Sequence, residues 1–164
     1  MIELDAEAVY RSLAARLREE VIGRDIRLVG VHTGGVWLAQ RLKADLAVAH
    51  EVGILDISFY RDDFSRSGLN PSVKPSSIAF DVEGADIVLV DDVLYTGRTV
   101  RAAMNELFDY GRPESIRLAA LVDRGERQLP ICAQYVGTSL TVPKGSMLRL
   151  DRDAAGRLAL RLDT

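Results

Sequence analysis

The sequence predicts an α/β fold in which a mostly parallel, twisted sheet is flanked by helices. Three mainly apolar runs, at residues 27–31, 86–90 and 115–122, are typical of strands that are buried on both faces. Helical patterns follow the first two runs, and a strand, a helix and a strand in succession imply a right-handed parallel crossover. The carboxyl-terminal residues predict a smaller appended lobe.

The first elements follow from helix signals at the amino terminus. Asp5 is placed to cap a helix that runs to about Ile22, and Gly23 stops it. A strand at 27–31, a turn at 32–35 and a helix from Val36 to about residue 45 come next. The predicted buried stripe of the first helix consists of Val9, Leu13, Leu17 and Val21.

An alternating segment and a long polar segment follow. Residues 52–60 alternate and predict a strand that has Leu55, Ile57 and Phe59 on one face and Asp56 and Ser58 on the other. Residues 61–77 are polar and too many for a simple connection, which indicates a mobile functional loop or an extended hairpin.

The second half of the chain contains the central strand at 86–90, a helix, and the strand at 115–122. The helix ends at Gly111 and Pro113. Its predicted buried stripe consists of Val100, Met104, Leu107 and Phe108. Runs at 147–152 and 158–162 flank a Gly-containing turn and predict a terminal hairpin. With 164 residues, we expect one domain over residues 1–164.

Composition limits the class of protein. Apolar residues make up 48% of the chain, charged residues 27%, and the formal net charge of −3 gives no general attraction to nucleic acid. A lone Cys132 cannot form an internal disulfide, which favours a reducing compartment. No segment resembles a signal peptide or a membrane span, so we expect a cytoplasmic protein.

The most informative segment is the run from Ile87 to Thr99. Four apolar residues precede the paired acids Asp91 and Asp92, and a Thr-Gly-Arg-Thr loop then leads into a helix. Open α/β sheets bind ligands at the carboxyl ends of their strands. Carboxylates suit a sugar diol, and a hydroxyl-rich loop before a helix suits a phosphate. The segment therefore predicts a site for a ribose 5-phosphate.

Two other kinds of site also carry paired acids. Asp-Asp pairs at strand ends also occur in the magnesium sites of P-loop NTPases and in receiver domains. The chain has no G-x-x-x-x-G-K-[ST] sequence, so the first alternative lacks its phosphate loop. A receiver domain leaves the Thr-Gly-Arg-Thr loop unexplained.

The same segment resembles the loop of type I phosphoribosyltransferases that binds phosphoribosyl pyrophosphate (PRPP). The resemblance implies that Asp91 and Asp92 bind the ribose hydroxyls and contribute to catalysis. The 5-phosphate would be cradled by the loop residues Tyr95, Thr96, Gly97, Arg98 and Thr99.

A second glycine turn lies one β–α unit earlier, at His32-Thr33-Gly34-Gly35. In phosphoribosyltransferases the turn at this place binds the pyrophosphate of PRPP and often contains a non-proline cis peptide. The resemblance therefore assigns Thr33, Gly34 and Gly35 to pyrophosphate, while the alternative is an ordinary Gly-Gly turn. The polar segment after Tyr60 is either a solvated charge cluster or a catalytic lid whose Arg61 meets the leaving pyrophosphate.

Longer stretches resemble the PyrR family of pyrimidine-operon regulators and uracil phosphoribosyltransferases. These stretches are residues 54–64, 87–99, 107–113 and 119–125. The resemblance implies conversion of uracil and PRPP to UMP and pyrophosphate. It assigns uracil to Asp123, Arg124, Tyr135 and Val136, although edge-strand packing explains the last two equally well. Magnesium would arrive on PRPP and keep waters, with few or no direct protein ligands. Tyr95 stands where purine-using relatives carry a carboxylate, so no general base is assigned.

The resemblance also implies an mRNA partner and a dimer or tetramer, but several cations of the RNA-binding members are absent. Glu126, Cys132 and Thr138 replace basic residues of those members, whereas Arg127 remains. Each lost cation removes a potential phosphate contact, which predicts weakened mRNA binding. The alternative is a UMP-responsive RNA-binding regulator with weak or vestigial catalysis. Its basic face would be Arg11, Arg16, Arg18, Arg24 and Arg27. A third possibility is transfer to another nucleobase.

Overall fold

The computed structural model describes residues 4–57 and 76–164. The predictions made for Ser58, Phe59, Tyr60 and Arg61, including the lid and its contact with pyrophosphate, lie outside the described residues. The described elements are, in chain order, α1 (Ala6–Val21), β1 (Ile26–Val31), α2 (Gly34–Asp45), β2 (Gly53–Leu55), β3 (Asp86–Leu94), α3 (Arg98–Tyr110), β4 (Ser115–Asp123), β5 (Tyr135–Ser139), β6 (Met147–Arg152) and β7 (Leu158–Asp163).

Five of these strands form a parallel sheet in the order β2-β1-β3-β4-β5. The predicted α/β class is therefore confirmed. The central strand β3 is longer than predicted and reaches Leu94, because its pairing with β4 continues to Leu94 and Asp123. A separate antiparallel pair, β6 and β7, forms the predicted terminal hairpin.

Alternate residues of the central strands pack into two different cores. Leu28 and Val88 join the core beneath α1 and α2, whereas Val29 and Leu89 join the core beneath α3. Successive side chains of a strand point to opposite faces of the sheet, so a strand covered by helices on both sides must be apolar throughout. The continuous apolar runs in the sequence have this cause.

The helices begin where local chemistry allows them to begin. The Asp5 carboxylate caps α1 by accepting from the backbone N–H groups of Glu7 and Ala8, at 3.0 and 3.1 Å. Helix α2 starts at Gly34, two residues earlier than predicted, because the glycine pair forms its first turn. Helix α3 starts at Arg98, immediately after Gly97 adopts the left-handed conformation.

Two predictions differ from the structure. Over the described residues 52–57, the strand predicted over 52–60 is observed only as β2, Gly53–Leu55, and Asp56 is buried like Leu55 and Ile57. Phe108 is 53% exposed, because it follows the buried Leu107 by one residue and therefore points about 100° away from it around the helix.

The terminal hairpin shares a core with α1 and α2. Leu150 and Leu158 are buried in the same cluster as α1. The Glu7 carboxylate accepts from Arg41 at 2.7 Å and from the Leu158 N–H at 2.8 Å, and the Arg41 guanidinium holds the pKa of Glu7 below its ordinary value. The first residues of β6 are thereby held near the carboxyl end of β3. Within the described residues, no helix is both long enough and apolar enough to cross a membrane.

Candidate active site

The two paired acids lie near the carboxyl end of the central strand. Asp91 is buried, with 5% of its surface exposed, and Asp92 is partly exposed. One oxygen of Asp91 accepts from the Asp92 N–H at 3.0 Å, and one oxygen of Asp92 accepts from the Val93 N–H at 2.9 Å. These bonds fix both carboxylates at the edge of the sheet where parallel strands bind ligands.

The loop between β3 and α3 leads directly into a helix N-terminus. Thr96 Oγ1 accepts from the Arg98 N–H at 3.2 Å, and Gly97 has a φ of 92°. A Cβ at Gly97 would lie 2.9 Å from Ile131 Cγ1. The first N–H groups of a helix have no intrahelical partner and favour an anion. The geometry therefore suits a phosphate, and we refer to Tyr95–Thr99 as the 5-phosphate loop.

A segment after β4 packs against the 5-phosphate loop. The backbone N–H groups of Gln128 and Leu129 both donate to the Thr96 carbonyl, at 2.9 and 3.1 Å. Arg98 Nε donates to Gln128 Oε1 at 2.9 Å. We call residues 124–131 the buttress segment, because these bonds hold the loop in place.

Two arginines of this segment contact Tyr95. The guanidinium of Arg124 lies 3.9 Å from the centre of the Tyr95 ring, and its Nη1 donates to the Ser146 carbonyl at 3.0 Å. Arg127 Nη1 donates to the Tyr95 carbonyl at 2.7 Å. Tyr95 is thus held by its ring and by its backbone, and Arg124 links it to the start of the terminal hairpin.

Asp123, at the end of β4, pairs with Arg127 and so helps to fix the contact between Arg127 and Tyr95. Its carboxylate accepts from Arg127 Nη2 at 2.6 Å and from the Gly125 N–H at 2.9 Å. Partial burial acts to raise the pKa of Asp123, but the Arg127 and Gly125 hydrogen bonds outweigh it, so this pKa lies below its ordinary value.

The glycine turn lies on the other side of the acids. A Cβ at Gly34 would lie 2.4 Å from Asp92 Oδ2, and one at Gly35 would lie 2.3 Å from the Val90 carbonyl oxygen. Any larger residue would displace one of these neighbours, so the close approach requires glycine. The peptide bond between His32 and Thr33 is cis, as the resemblance implied.

Two adjoining cavities meet at the acids. A cleft of about 730 Å³ and a smaller cavity of about 170 Å³ share four lining residues, Asp91, Asp92, Val93 and Thr99. The cleft extends along the 5-phosphate loop to Arg124, Gln128 and the first residues of β6. The smaller cavity extends to His32, Thr33, Asp56 and Ile57. The site is therefore a continuous crevice with the twin carboxylates at its centre.

A second pair of acids, Asp56 and Glu106, lies at the smaller cavity, and of the two only Asp56 lines it. Ser76 Oγ accepts from the Asp56 N–H at 3.0 Å and also bonds the buried Glu106 of α3. Burial raises the pKa of Glu106 above its ordinary value despite the Ser76 hydrogen bond, and the charges of Asp56 and Asp109 act in the same direction as burial. These contacts link the end of β2 to α3 behind the crevice.

Most of the predicted site residues converge on this crevice. Asp91, Asp92, Arg124 and the whole 5-phosphate loop line the cleft, Thr33 lines the smaller cavity, and Gly34 contacts Asp92.

Three residues predicted for uracil lie elsewhere. Asp123 is paired with Arg127. Tyr135 is only 6% exposed, and its hydroxyl accepts from Arg117 at 2.9 Å. Val136 pairs with Ala120 in β5. None of the three is among the described residues that line the two cavities. For Tyr135 and Val136 this arrangement corresponds to edge-strand packing, the alternative that the sequence analysis kept beside a contact with uracil.

Seven residues that sequence reasoning did not assign also line the cleft. Three lie beside the assigned ones in β3 and α3, and four lie far from them in sequence: Val93, Leu94 and Val100, and Gln128, Met147, Leu148 and Arg149. Met147 is 63% exposed at the mouth of the cleft. The hairpin itself was predictable from its turn. Its approach to β3 depends on packing with α1 and α2, for which the local sequence carries no signal.

Comparisons with known proteins agree with this geometry. The family model for the phosphoribosyl transferase domain matches residues 3–145. A protein of Ralstonia nicotianae named "Bifunctional protein PyrR" is 47% identical over 96% of this chain and 91% of its own length. A protein of the same name from Nitrosococcus oceani is 48% identical over 91% of this chain and 87% of its own length.

Solved structures share the fold. A hypoxanthine-guanine phosphoribosyltransferase from Bacillus anthracis superposes with a TM-score of 0.68 at 19% identity, covering 88% of this chain and 85% of that one. The protein described here is thus a type I phosphoribosyltransferase in fold, and its sequence places it in the PyrR family.

Proposed function

We propose that this chain is a uracil phosphoribosyltransferase that converts uracil and PRPP to UMP and pyrophosphate. The observation that carries the proposal is that one pair of carboxylates borders both cavities, with the 5-phosphate loop on one side and the glycine turn on the other. A ribose that carries a phosphate at C5 and a pyrophosphate at C1 matches this order. The relatives named PyrR support the choice within the family.

In the proposed reaction, N1 of uracil forms a bond to C1 of the ribose while the bond from C1 to the pyrophosphate oxygen breaks. The bonding electrons leave with pyrophosphate, and the N1 proton of uracil is released. Asp91 and Asp92 bind the ribose hydroxyls and orient C1, and the 5-phosphate loop fixes the other end of the sugar. Catalysis therefore rests on orientation and on electrostatic stabilisation of the charge that develops on the sugar and the leaving group.

The residues of the crevice fit a magnesium ion that arrives with PRPP. Two carboxylates lie at the junction of the cavities, and within residues 4–57 and 76–164 no group of three or more His, Cys, Asp or Glu side chains could enclose a metal. Magnesium retains waters and binds phosphate oxygens readily, so Asp91 and Asp92 would hold it indirectly or with one oxygen each. When bound, it would offset the charge of the leaving pyrophosphate.

The nucleobase is proposed to lie in the wide part of the cleft. Arg124 is 6% exposed and fixed against Tyr95, and Met147 and Leu148 of the terminal hairpin line the same cleft. An apolar wall and a fixed polar wall suit a flat pyrimidine. Arg124 remains a proposed uracil contact, and we add Met147 and Leu148 of the terminal hairpin as further proposed contacts.

The test measures pyrophosphate release from PRPP and magnesium with each nucleobase supplied separately. We expect release with uracil and not with adenine, guanine, hypoxanthine or xanthine. Release of pyrophosphate with a purine would show that the substrate is that purine base and not uracil. Binding of PRPP without release for any base would indicate a nucleotide sensor instead of an enzyme.

The name of the relatives favours a second candidate, a UMP-responsive regulator of pyrimidine-operon mRNA. Three of the five arginines considered for a basic face have partners within the protein: Arg18 donates to the Asp45 carbonyl, Arg24 pairs with Asp86, and Arg27 pairs with Asp25. Internal pairing leaves less charge for RNA phosphates. A salt-dependent gel shift with the pyrimidine-operon leader tests this function. We also propose a cytoplasmic dimer or tetramer, and light scattering on the same preparation measures the oligomeric state.

A further inference from the structure

Arg127 joins three parts of the protein through one guanidinium. Nη1 donates to the Tyr95 carbonyl of the 5-phosphate loop at 2.7 Å, and Nη2 donates to the Asp123 carboxylate at the end of β4 at 2.6 Å. Nε donates to the Ile131 carbonyl near the end of the buttress segment at 2.9 Å. Each of the three nitrogens therefore has a protein acceptor.

This arrangement depends on the shape of the side chain as well as on its charge. A guanidinium is planar and presents its donors in fixed directions, so it can hold three separate acceptors at once. A lysine ammonium is a compact charge at the end of a flexible stem and cannot reproduce that geometry. The Arg127 and Asp123 side chains are only 24% and 19% exposed, which shields their pairing from solvent.

The bonds of Arg127 act on the part of the loop that precedes the phosphate site. Its neighbours Gln128 and Leu129 hold the next carbonyl, that of Thr96, through their backbone N–H groups. Two successive peptide groups of the loop are thus fixed by the buttress segment. The position of the first turn of α3, where a phosphate would bind, follows from the position of these two groups.

We propose that Arg127 is a positioning residue, which holds the 5-phosphate loop in its PRPP-binding conformation and does not serve as a cation for nucleic acid. The inference rests on the proposed function, because it concerns the same PRPP site. Sequence resemblance alone left Arg127 as a remaining RNA-facing cation. The three internal acceptors assign it to the enzyme site instead.

The first experiment replaces Arg127 with Met and measures steady-state kinetics for both substrates. We expect the KM for PRPP to rise about tenfold, which corresponds to the loss of one or two charge-assisted hydrogen bonds. The KM for uracil is expected to change by less than about twofold, because Arg127 donates to the loop backbone and not to Arg124, the proposed uracil contact. Equal changes in both constants would contradict the proposal.

The conservative variant separates position from charge. Arg127→Lys keeps the positive charge but loses the fork, so we expect most of the tenfold rise in the KM for PRPP to persist. Recovery of the normal KM in Arg127→Lys would overturn the proposal and indicate a simple phosphate-binding cation. Arg112→Met is the matched control: it removes one exposed arginine at the opposite edge of the sheet, between α3 and β4.

Hydrogen exchange tests the inference independently of turnover. The Gln128 and Leu129 amides should lose protection in both Arg127 variants and keep it in Arg112→Met. If the wild-type protein makes no UMP but this pattern appears, the proposed function fails and the positioning role stands. Unchanged protection in a folded variant would exclude the role. If Arg127→Met does not fold, Arg127→Lys carries the same measurement.

An RNA titration completes the test. Arg127→Met should bind the leader RNA as Arg112→Met does, since both lose one positive charge. A loss of RNA affinity confined to Arg127→Met, with a normal KM for PRPP, would refute the positioning role and return Arg127 to the RNA surface.

Discussion

The two anion-binding regions on either side of Asp91 and Asp92 are built by different means. The 5-phosphate loop is held from outside by hydrogen bonds from the buttress segment, which reach the Tyr95 and Thr96 carbonyls. The glycine turn is held by direct contact of bare backbone with β3, where a Cβ at Gly35 would lie 2.3 Å from a carbonyl oxygen. The 5-phosphate loop depends on hydrogen bonds from a neighbouring segment, and the glycine turn depends on the absence of side chains.

This difference determines how each region should respond to mutation. Hydrogen bonds can be removed one at a time, and each removal shifts the loop by a limited amount. A backbone contact at the limit of van der Waals approach has no such range, because the rigid strand cannot move away. We therefore expect graded effects in the 5-phosphate loop and abrupt effects in the glycine turn.

The largest effect is expected for Gly35→Ala. The added methyl would meet the backbone oxygen of Val90 in the centre of the sheet, so either the helix or the strand must shift. We expect the free energy of unfolding to fall by about 3 kcal/mol, as for other overpacked sites, and activity to be lost. Urea denaturation and the uracil assay measure the two losses.

Gly34→Ala is the matched control for that change. Its methyl would meet the Asp92 side chain at 2.4 Å, and a side chain can rotate away where a backbone cannot. We expect activity to be lost while most of the stability is retained. Equal destabilisation of the two variants would show that the distinction between backbone and side-chain neighbours is incorrect.

The second prediction concerns Asp92, which borders both cavities. Asp92→Asn keeps an oxygen that can accept from the Val93 N–H but removes the charge. We expect kcat/KM for PRPP to fall about 100-fold, or roughly 2.7 kcal/mol, as when one group that stabilises a transition state is removed. The free energy of unfolding should change by less than about 0.5 kcal/mol. Unchanged turnover would count heavily against the site.

The third prediction tests the graded response of the 5-phosphate loop. Thr99 borders both cavities, and Thr99→Val removes its hydroxyl with little change in volume. We expect PRPP to bind about tenfold more weakly, which is the effect of about one lost hydrogen bond. Calorimetric titration with PRPP measures it. A loss as abrupt as that of Gly35→Ala would remove the contrast between the two regions.

Local sequence was sufficient to predict the central part of the fold. Continuous apolar runs identified β1, β3 and β4, because burial on both faces leaves no polar position in a strand. Within the described residues 52–57, the strand predicted at 52–60 is shorter than its alternation indicated, and Asp56, which the alternation set apart from Leu55 and Ile57, is buried beside Ser76. A buried acid with a hydrogen-bond partner has the same sequence signature as an exposed one.

The site was predictable where its chemistry is contiguous in sequence. Asp91, Asp92 and the loop through Thr99 form one run of residues, so their spacing alone predicted that they lie together in one site. Met147 and Gln128 reach the cleft only through tertiary packing, and nothing in their local sequence indicates that approach. For Tyr135 the sequence left a uracil contact and edge-strand packing open, and its pairing in β5 beside Ala119, four residues before the end of β4, corresponds to the second of these.

The smallest expected effect is a pH-dependent loss of stability in Asp123→Asn, which should affect the 5-phosphate loop and not the glycine turn. The folded-state pKa of Asp123 lies below its ordinary value of 3.8, so its pairing with Arg127 stabilises the protein above pH 3.8 and is lost as the pH falls through that lowered pKa. We expect Asp123→Asn to cost about 0.5–1 kcal/mol in urea unfolding at pH 7, and the deficit to shrink as the pH falls through the lowered pKa of the wild-type Asp123 carboxyl, which then becomes protonated itself. Asp109→Asn removes an exposed carboxylate of α3 and serves as the control.

Hydrogen exchange tests whether this loss is confined to one region. The glycine turn is held without charges, so amide exchange near Gly35 should be insensitive to Asp123→Asn while exchange at Gln128 and Leu129 increases. If both regions responded alike, the buttress and the turn would form one cooperative unit, and the difference in how they are built would have no energetic consequence.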